Sequence, residues 1–379
     1  RDAQESRGLG DVYKRQIYME LMRNGALADL MDAGAVVRSA FCGPCFGAGD
    51  TPNNKGFSVR HTTRNFPNRE GSKPGKGQIA SVALMDARSV AATAANHGAL
   101  TPATEMEYDD SVPAYHYDSL PYDHKVFDGI GQPDKKEELV YGPSIKPWPS
   151  IEKLNENVLL KVAAWIDDPV TTTDELIPSG ETSSYRSDPY ALSEFALSRK
   201  VPEYVGRAKA VRTLEKARQE GENCEELNNM YDSVKNALGL QESADQMKKN
   251  TSVGSVVYAN KPGDGSAREQ AASCQRVLGG AANIALEYAT KRYRSNVMNW
   301  GMLPFHLKGE PTDFEVGDWI YVPEIRKALD GDLETIPAYV VKESGTVPLT
   351  LYSKPLTEEE RAIIKAGCLI NYNRMKKVK

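Results

Sequence analysis

From Ile151 onward, apolar runs of the strand type alternate with helical patterns, and no other feature of the chain constrains its fold as strongly. Three short runs are typical of strands: Val158–Trp165, Ser255–Tyr258 and Ile336–Val341. The segments between them have helical periodicity: Pro202–Glu220, Glu226–Leu238 and Ser266–Leu278. Strands that alternate with helices build a sheet covered by helices, so we predict an α/β fold and a second domain over residues 151–379.

The part of the chain before Ile151 is organised differently. Residues 1–16 are polar and have no apolar period, so we expect a tail or an artefact of cloning or assembly. A helical pattern begins at Ile17, and we assign residues 17–106 to a first domain. Residues 107–150 contain six prolines among tyrosines and aspartates, a composition typical of an interdomain linker.

Charge and hydropathy exclude several classes of protein. The net charge is −5, from 47 Lys and Arg against 52 Asp and Glu, which argues against a nucleic-acid partner held by bulk charge. No apolar run approaches the ~20 residues of a membrane span, so we expect no membrane association. No secretory signal precedes the five scattered cysteines, so we expect reduced thiols in a cytoplasmic protein. The charged stretch Arg207–Glu220 predicts a solvated helix face rather than a binding arm.

The tetrapeptide Cys42-Gly43-Pro44-Cys45 is the first chemical signal. A dithiol redox site would need a helix at the second cysteine, and Phe46–Pro52 does not predict one. A zinc site would need two further ligands, for which His61 is the only nearby candidate. An iron–sulfur cluster could use both thiolates, with its remaining ligand elsewhere. The motif alone leaves these three interpretations open, beside a buried structural pair.

Two further segments favour anion chemistry. A basic loop contains Arg60, Arg64 and Arg69 with the single acid Glu70, and guanidinium groups pair bidentately with carboxylates. The alternative is a solvated basic loop. The turn Gly263–Arg268 follows a strand pattern and precedes a helix, where backbone N–H groups can hold an anion. Its Ser266 is either a helix N-cap or, with an arginine nearby, an alkoxide base.

Taken in this order, the segments resemble the aconitase family of iron–sulfur hydro-lyases. The resemblance runs from about Ile17 to about Val316 and rests on the following segments: Cys42–Gly47, Thr63–Arg69, Thr172–Gly180, Tyr185–Ser187, Gly263–Ala272, Leu278–Gly280 and Asn299–Pro304. It implies that residues 17–106 are the end of a three-layer α/β domain that binds the cluster. It also implies that residues 151–379 are the swivelling β/β/α domain.

The resemblance implies a reversible dehydration and rehydration of citrate and isocitrate through cis-aconitate. A [4Fe–4S] cluster with one open iron would act as Lewis acid, and Cys42 and Cys45 would be two of its three cysteine ligands. Ser266 would be the base. The substrate tricarboxylate would be bound by Thr63, Arg64, Arg69, Arg186 and Arg268. We assign the three remaining cysteines to structure: Cys224, Cys274 and Cys368.

Departures from the family pattern leave the substrate open. The family usually has Asn at Thr63, Gly at Asn68 and Ser at Ala267. A divergent hydratase acting on homocitrate, isopropylmalate or methylcitrate is therefore one alternative, and a non-catalytic accessory or RNA-binding protein is another. The family's first cluster cysteine and first two domains would lie upstream of Arg1. We therefore expect this chain alone to be inactive, and its partner to be those domains or a subunit that carries them. The sequence assigns no purpose to the helical segments at 202–240.

Overall fold

The computed structural model describes residues 16–38, 53–61, 77, 79, 81–107, 111, 116–124, 129–138, 140–178, 180–309, 313–342 and 345–377. The chain divides into two compact units, residues 1–138 and residues 139–379. The boundary falls inside the segment 107–150, while the domain limits inferred from the sequence stay a prediction.

The first unit contains short elements. Its helices are α1 (16–23), α2 (Ala26–Asp32), α3 (Ala87–Ala95) and α4 (Leu120–Asp123), with a 3₁₀ turn at Ala103–Glu105. Its strands β1 (Phe57–Arg60) and β2 (Ser81–Leu84) pair in parallel. Helix α3 begins sharply because the Asp86 carboxylate accepts a hydrogen bond from the Ser89 amide at 3.0 Å.

The second unit contains most of the regular structure. Its strands are β3 (Asn157–Ile166), β4 (Thr171–Thr172), β5 (Thr251–Ala259), β6 (Pro262–Asp264), β7 (Gly280–Ala285), β8 (Leu303–His306), β9 (Trp319–Val322), β10 (Ile336–Lys342) and β11 (Gly345–Leu351). Its helices are α5 (Thr173–Leu176), α6 (Pro189–Ser193), α7 (Tyr204–Glu220), α8 (Glu225–Leu238), α9 (Ala244–Asn250), α10 (Arg268–Val277), α11 (Lys291–Asn299), α12 (Ile325–Asp330), α13 (Glu358–Ala366) and α14 (Leu369–Lys377), with a 3₁₀ turn at Ser183–Tyr185.

A mixed sheet organises this unit. Its order in the described residues is β11-β10-β9-β3-β5-β7-β8, with β3, β5, β7 and β8 parallel and the other three strands antiparallel. The three apolar runs predicted as strands form β3, β5 and β10, because β-branched and aromatic side chains pack on both faces of a covered sheet. The predicted α/β fold class is confirmed.

The helices at residues 202–240 cover one face of this sheet. Leu159 of β3 packs there with Val211 of α7 and with Leu227 and Tyr231 of α8, and all four side chains are almost completely buried. The other face packs Val158, Leu160 and Val162 against helices α12 and α13. Burying each side chain of this size stabilises a fold by roughly 1.5–3 kcal/mol. The helical segments at 202–240, to which the sequence assigned no purpose, therefore complete the hydrophobic core on this face of the sheet.

Within the part of the chain that the structure describes, we find no helix that combines the length and the apolar character needed to cross a bilayer.

Candidate active site

The turn Gly263–Arg268 connects β6 to α10, just beyond the carboxyl end of β5. Parallel strands β3, β5 and β7 all end at this edge of the sheet. Ligands of open α/β sheets bind at the carboxyl ends of the strands, where loops and helix N-termini converge. The topology therefore puts the sequence-predicted serine at the edge where such folds bind small molecules.

Two glycines in the turn are required by close contacts. Gly263 has φ +96°, and a Cβ at this position would lie 2.3 Å from the Tyr293 ring. Gly265 has φ +130°, and its Cβ would lie 2.3 Å from the Thr173 Oγ1. Side chains rarely adopt positive φ, and no real Cβ approaches another heavy atom this closely. The glycines therefore let the turn pack directly against Tyr293 and Thr173.

Thr173 connects two motifs of the second unit, the segment 172–180 and the serine turn. Its Oγ1 accepts a hydrogen bond from the Ala267 amide at 3.2 Å, and the residue is 1% exposed. The preceding residues Thr171 and Thr172 pair with Pro262 and Asp264. The two residues are 94 positions apart in the sequence, so no local sequence pattern predicts this contact.

The segment around Thr173 is itself fixed by polar contacts. Thr172 and Glu175 form a reciprocal capping box at the start of α5. Burial of Glu175 acts to raise its pKa, but hydrogen bonds from Thr172 and Lys200 prevail and lower it. Lys200 also contacts Asp168 at 2.9 Å, which ties the segment to the end of β3. Thr173 is therefore held before any ligand binds.

Ser266 lies immediately before the N-cap of α10. The N-cap is Ala267, which makes no side-chain capping bond, so the N-cap interpretation of Ser266 does not describe this turn. Ser266 is exposed, and its hydroxyl makes no hydrogen bond to any residue that the structure describes. The amide groups of the first helical turn lie next to it, and they carry the positive end of the α10 dipole. A negatively charged oxygen at this point is electrostatically favoured.

Arg268 is the first residue of α10 and is only 9% exposed. A cation at a helix N-terminus opposes the helix dipole, typically by 0.3–1 kcal/mol. Arginine is also rarely buried to this degree. Both the helix position and the burial of Arg268 are unfavourable for an arginine. Such local costs are typical of functional residues, so Arg268 is a candidate for binding an anion.

Arg186 follows the 3₁₀ turn Ser183–Tyr185 and is half-buried. Tyr185 packs its ring on Phe195 at 5.2 Å between centroids, which anchors this turn. Helix α6 begins three residues after Arg186 and packs against α10, the helix that begins with Arg268. Both sequence-predicted arginines of the second unit are thus carried by segments that meet in the fold.

The remaining sequence-predicted site residues lie outside the described residues: Cys42, Cys45, Thr63, Arg64 and Arg69. Among the described residues, no group of three His, Cys, Asp or Glu side chains is placed to hold a metal ion. Burial raises the pKa of the Cys274 thiol, and Cys368 is buried as well. A thiol in this state is a structural side chain rather than a metal ligand.

Two family models match the chain. The aconitase family (aconitate hydratase) matches residues 14–92, and the aconitase C-terminal domain matches residues 206–310. The second match contains Ser266 and Arg268. The first contains the positions of the cysteine pair and of the basic loop. Arg186 lies outside both matched regions.

Individual relatives agree with these family models. A putative mitochondrial aconitate hydratase of Aspergillus fumigatus is 24% identical over 387 residues, which cover 94% of this chain and 45% of that protein. A mitochondrial aconitate hydratase of Gracilaria gracilis is 24% identical, with the same coverage of 94% and 45%. The 3-isopropylmalate dehydratase large subunit of Mycolicibacterium smegmatis is 40% identical over 78 residues, 20% of this chain and 18% of that one.

A solved structure of 3-isopropylmalate dehydratase from Methanocaldococcus jannaschii aligns with a TM-score of 0.34 and 21% identity, covering 59% of this chain and 96% of that chain. The chain spans about half the length of the aconitate hydratases that it matches. The two matched regions support an aconitase-family protein, with residues 14–92 similar to the family's own domain and residues 206–310 similar to the aconitase C-terminal domain.

Proposed function

We propose that this chain is part of an aconitase-type hydro-lyase that interconverts citrate and isocitrate through cis-aconitate. One observation carries the proposal. An exposed serine lies two residues before the buried arginine that begins α10, on a turn that Thr173 and two glycines hold in place. The matches to aconitate hydratases supply the reaction class.

Ser266 acts as the base. Its oxygen, as the alkoxide, takes the proton from the carbon α to a carboxylate. The electron pair of that C–H bond forms the C=C double bond, and the C–O bond of the neighbouring carbon breaks to release hydroxide. Ser266 forms an alkoxide only if nearby positive charge lowers the free-energy cost of removing its hydroxyl proton. The N-terminus of α10 supplies positive charge next to this residue, and Arg268, two positions further along the chain, carries a buried guanidinium.

Arginines hold the carboxylates of the substrate. Arg186 and Arg268 belong to the second unit, and Arg64 and Arg69 belong to the basic loop of the first. A guanidinium pairs with a carboxylate through two parallel hydrogen bonds, which fixes the orientation of the substrate as well as its charge. Thr63 completes the proposed substrate-binding set.

Cys42 and Cys45 are the residues that would hold an iron–sulfur cluster. Two closely spaced cysteines are the donor type that such clusters use, and the chain has no other cysteines so close together. Of the other cysteines, Cys274 is buried as a neutral thiol. A [4Fe–4S] cluster, when bound, supplies a Lewis acid for the departing hydroxyl group.

A second substrate class is favoured by one comparison. The stretch that is 40% identical to a 3-isopropylmalate dehydratase large subunit is the strongest local identity among the relatives above. Thr63 and Ala267 replace the Asn and Ser expected from the family resemblance, and both positions adjoin proposed site residues. A 2-hydroxy acid such as isopropylmalate is therefore the alternative substrate.

The active enzyme, in this proposal, contains more than these 379 residues. The matched aconitate hydratases are about twice as long, and their remaining domains would be supplied by the same polypeptide or by a separate subunit. We propose a cytoplasmic location, although these two aconitate hydratases are named as mitochondrial.

The test is the hydration of cis-aconitate by the complete enzyme after anaerobic reconstitution with iron and sulfide, with isopropylmalate dehydration as the second assay. Ser266→Ala should lower kcat by about 10²–10⁴ and leave KM nearly unchanged, because a general base acts in the transition state. Ser233→Ala, on α8, is the matched control and should stay within twofold of the wild type. A Ser266→Ala enzyme with near wild-type kcat would refute the role of Ser266. Absence of turnover with both substrates would refute the hydro-lyase assignment.

A further inference from the structure

A cavity of about 290 Å³ lies at the opposite end of the sheet from Ser266. It is lined by residues at the amino ends of β5 and β7, by one side of α7 and by the segment 149–154. Strand β5 is nine residues long, so roughly 25–30 Å of strand separates this cavity from the serine turn. The cavity is therefore a separate site from the one described above.

Its lining is rich in cations. Arg212, Lys216, Lys153 and Arg276 line the cavity, against the two carboxylates Glu152 and Glu215. Glu215 is already neutralised, because it accepts hydrogen bonds from Arg218 at 2.6 Å and from the Val253 amide at 3.0 Å. In a chain that is acidic overall, this cavity has an excess of positive charge.

Arg212 is the cation best placed to bind a ligand. No carboxylate of a described residue forms an ion pair with it, and its guanidinium lies over the Tyr190 ring at 5.7 Å. Arg276 differs, since its guanidinium donates to the Gly280 carbonyl at 2.9 Å and is already engaged. Stacking on an aromatic ring restrains a guanidinium and leaves its N–H donors directed sideways.

The backbone around Arg212 is also fixed. Gly279 has φ +93°, and a Cβ there would lie 2.9 Å from the Arg212 Cβ. The missing side chain at Gly279 lets α7 pack tightly against the turn after α10. The base of Arg212 is therefore held by the turn, and its far end is held by Tyr190.

From this arrangement we propose that the cavity binds a small anion with at least two negative charges, carried by phosphate or carboxylate groups. The Arg212 guanidinium pairs with one anionic group bidentately, and the Lys153 and Lys216 ammonium groups neutralise the second. Among the described residues, the carboxylate that Lys216 contacts is that of Glu220, at a distance of 3.7 Å. The volume, at the lower end of ligand pockets, suits a ligand with few heavy atoms.

The test is isothermal titration calorimetry on the full chain with two probes, inorganic diphosphate and succinate. Binding of either probe supports the site, and which of the two binds tells phosphate from carboxylate chemistry. Arg212→Gln should weaken binding at least about tenfold, since hydrogen bonds to charged groups are strong. Arg212→Lys keeps the positive charge but loses the paired N–H donors of the guanidinium. Its affinity should therefore lie between those of the wild type and Arg212→Gln.

Two controls separate this site from bulk charge and from the serine turn. Lys209→Gln removes one positive charge from the same helix, at a residue that pairs with Glu194 outside the cavity, and should change the affinity by less than twofold. Arg268→Gln should also leave it unchanged. The proposal is overturned if neither probe binds at millimolar concentration, if Lys209→Gln weakens binding as much as Arg212→Gln, or if only Arg268→Gln abolishes it. Matching thermal unfolding of Arg212→Gln and wild type excludes misfolding, and Arg212→Lys keeps the test valid if Arg212→Gln does not fold.

Discussion

Replacing Gly265 by alanine tests the architecture of the serine turn. The new Cβ would lie 2.3 Å from the Thr173 Oγ1, and the residue would have to keep φ +130° or shift the turn. An L-residue in a left-handed conformation costs roughly 1–2 kcal/mol, and overpacking a buried contact typically costs 1–3 kcal/mol. We therefore expect Gly265→Ala to lower the free energy of unfolding by about 2–5 kcal/mol.

A double-mutant cycle assigns the part of this loss that is due to the contact with Thr173. Thr173→Ala removes the Oγ1 that the new methyl group meets, so the double variant should recover about 1–3 kcal/mol relative to additivity. The φ strain remains in both backgrounds. Gly180→Ala is the matched control, since a Cβ at Gly180 meets no atom of the described residues within 4 Å, and we expect a change below about 0.5 kcal/mol.

The assay is urea unfolding followed by tryptophan fluorescence. All four tryptophans belong to the second unit, so the signal reports the unfolding of the unit that contains the turn: Trp148, Trp165, Trp300 and Trp319. A Gly265→Ala variant as stable as the wild type would refute the close packing of the turn. Strict additivity with Thr173→Ala would refute Thr173 as the contact responsible.

Three further predictions concern the second unit. Burial, followed by the nearby Arg294 and Lys354, lowers the pKa of His306 to about 4, while the unfolded value is about 6.5, so stability is lost as pH falls from 6.5 towards 4. The His306→Phe variant should lack up to about 3 kcal/mol of this acid sensitivity in urea unfolding at pH 7 and pH 4.5, and an unchanged pH dependence would contradict the assignment. In the reconstituted complete enzyme, Thr173→Val should lower kcat while changing KM less. Thr173→Ser keeps the hydroxyl group and should retain most of the wild-type kcat. Equal activity of the two variants would exclude a positioning role. Gly301→Ala should abolish folding of the second unit in circular dichroism, since its Cβ would overlap the Gly367 carbonyl, and a well-folded variant would refute that packing.

The general architecture could be predicted because its signals are local. Strands β3, β5 and β10 are short apolar runs rich in β-branched residues, and α7 and α8 show helical periodicity between Gly and Pro breaks. The glycine-rich turn before α10 also follows from sequence, because Gly263 and Gly265 precede a helical pattern and tolerate positive φ.

The details of the site could not be predicted because they depend on contacts between distant residues. Thr173 bonds the Ala267 amide across 94 residues, and no periodicity encodes that pairing. The burial of Arg268 follows from the elements around α10, whereas sequence alone makes an arginine at a helix start look solvated. The Arg212 cavity likewise requires α6, α7 and the turn at Gly279 to meet.

We propose that the cysteine pair Cys42 and Cys45 holds an iron–sulfur cluster for a hydro-lyase. The most direct test is an anaerobic iron and sulfide titration of the complete protein, followed by visible absorption. We predict a broad charge-transfer band in the wild type. Cys42→Ser should lose this band, and Cys224→Ser, at a cysteine outside the proposed site, should keep it. A wild-type protein without the band, or a Cys42→Ser protein that retains it in full, would contradict the claim.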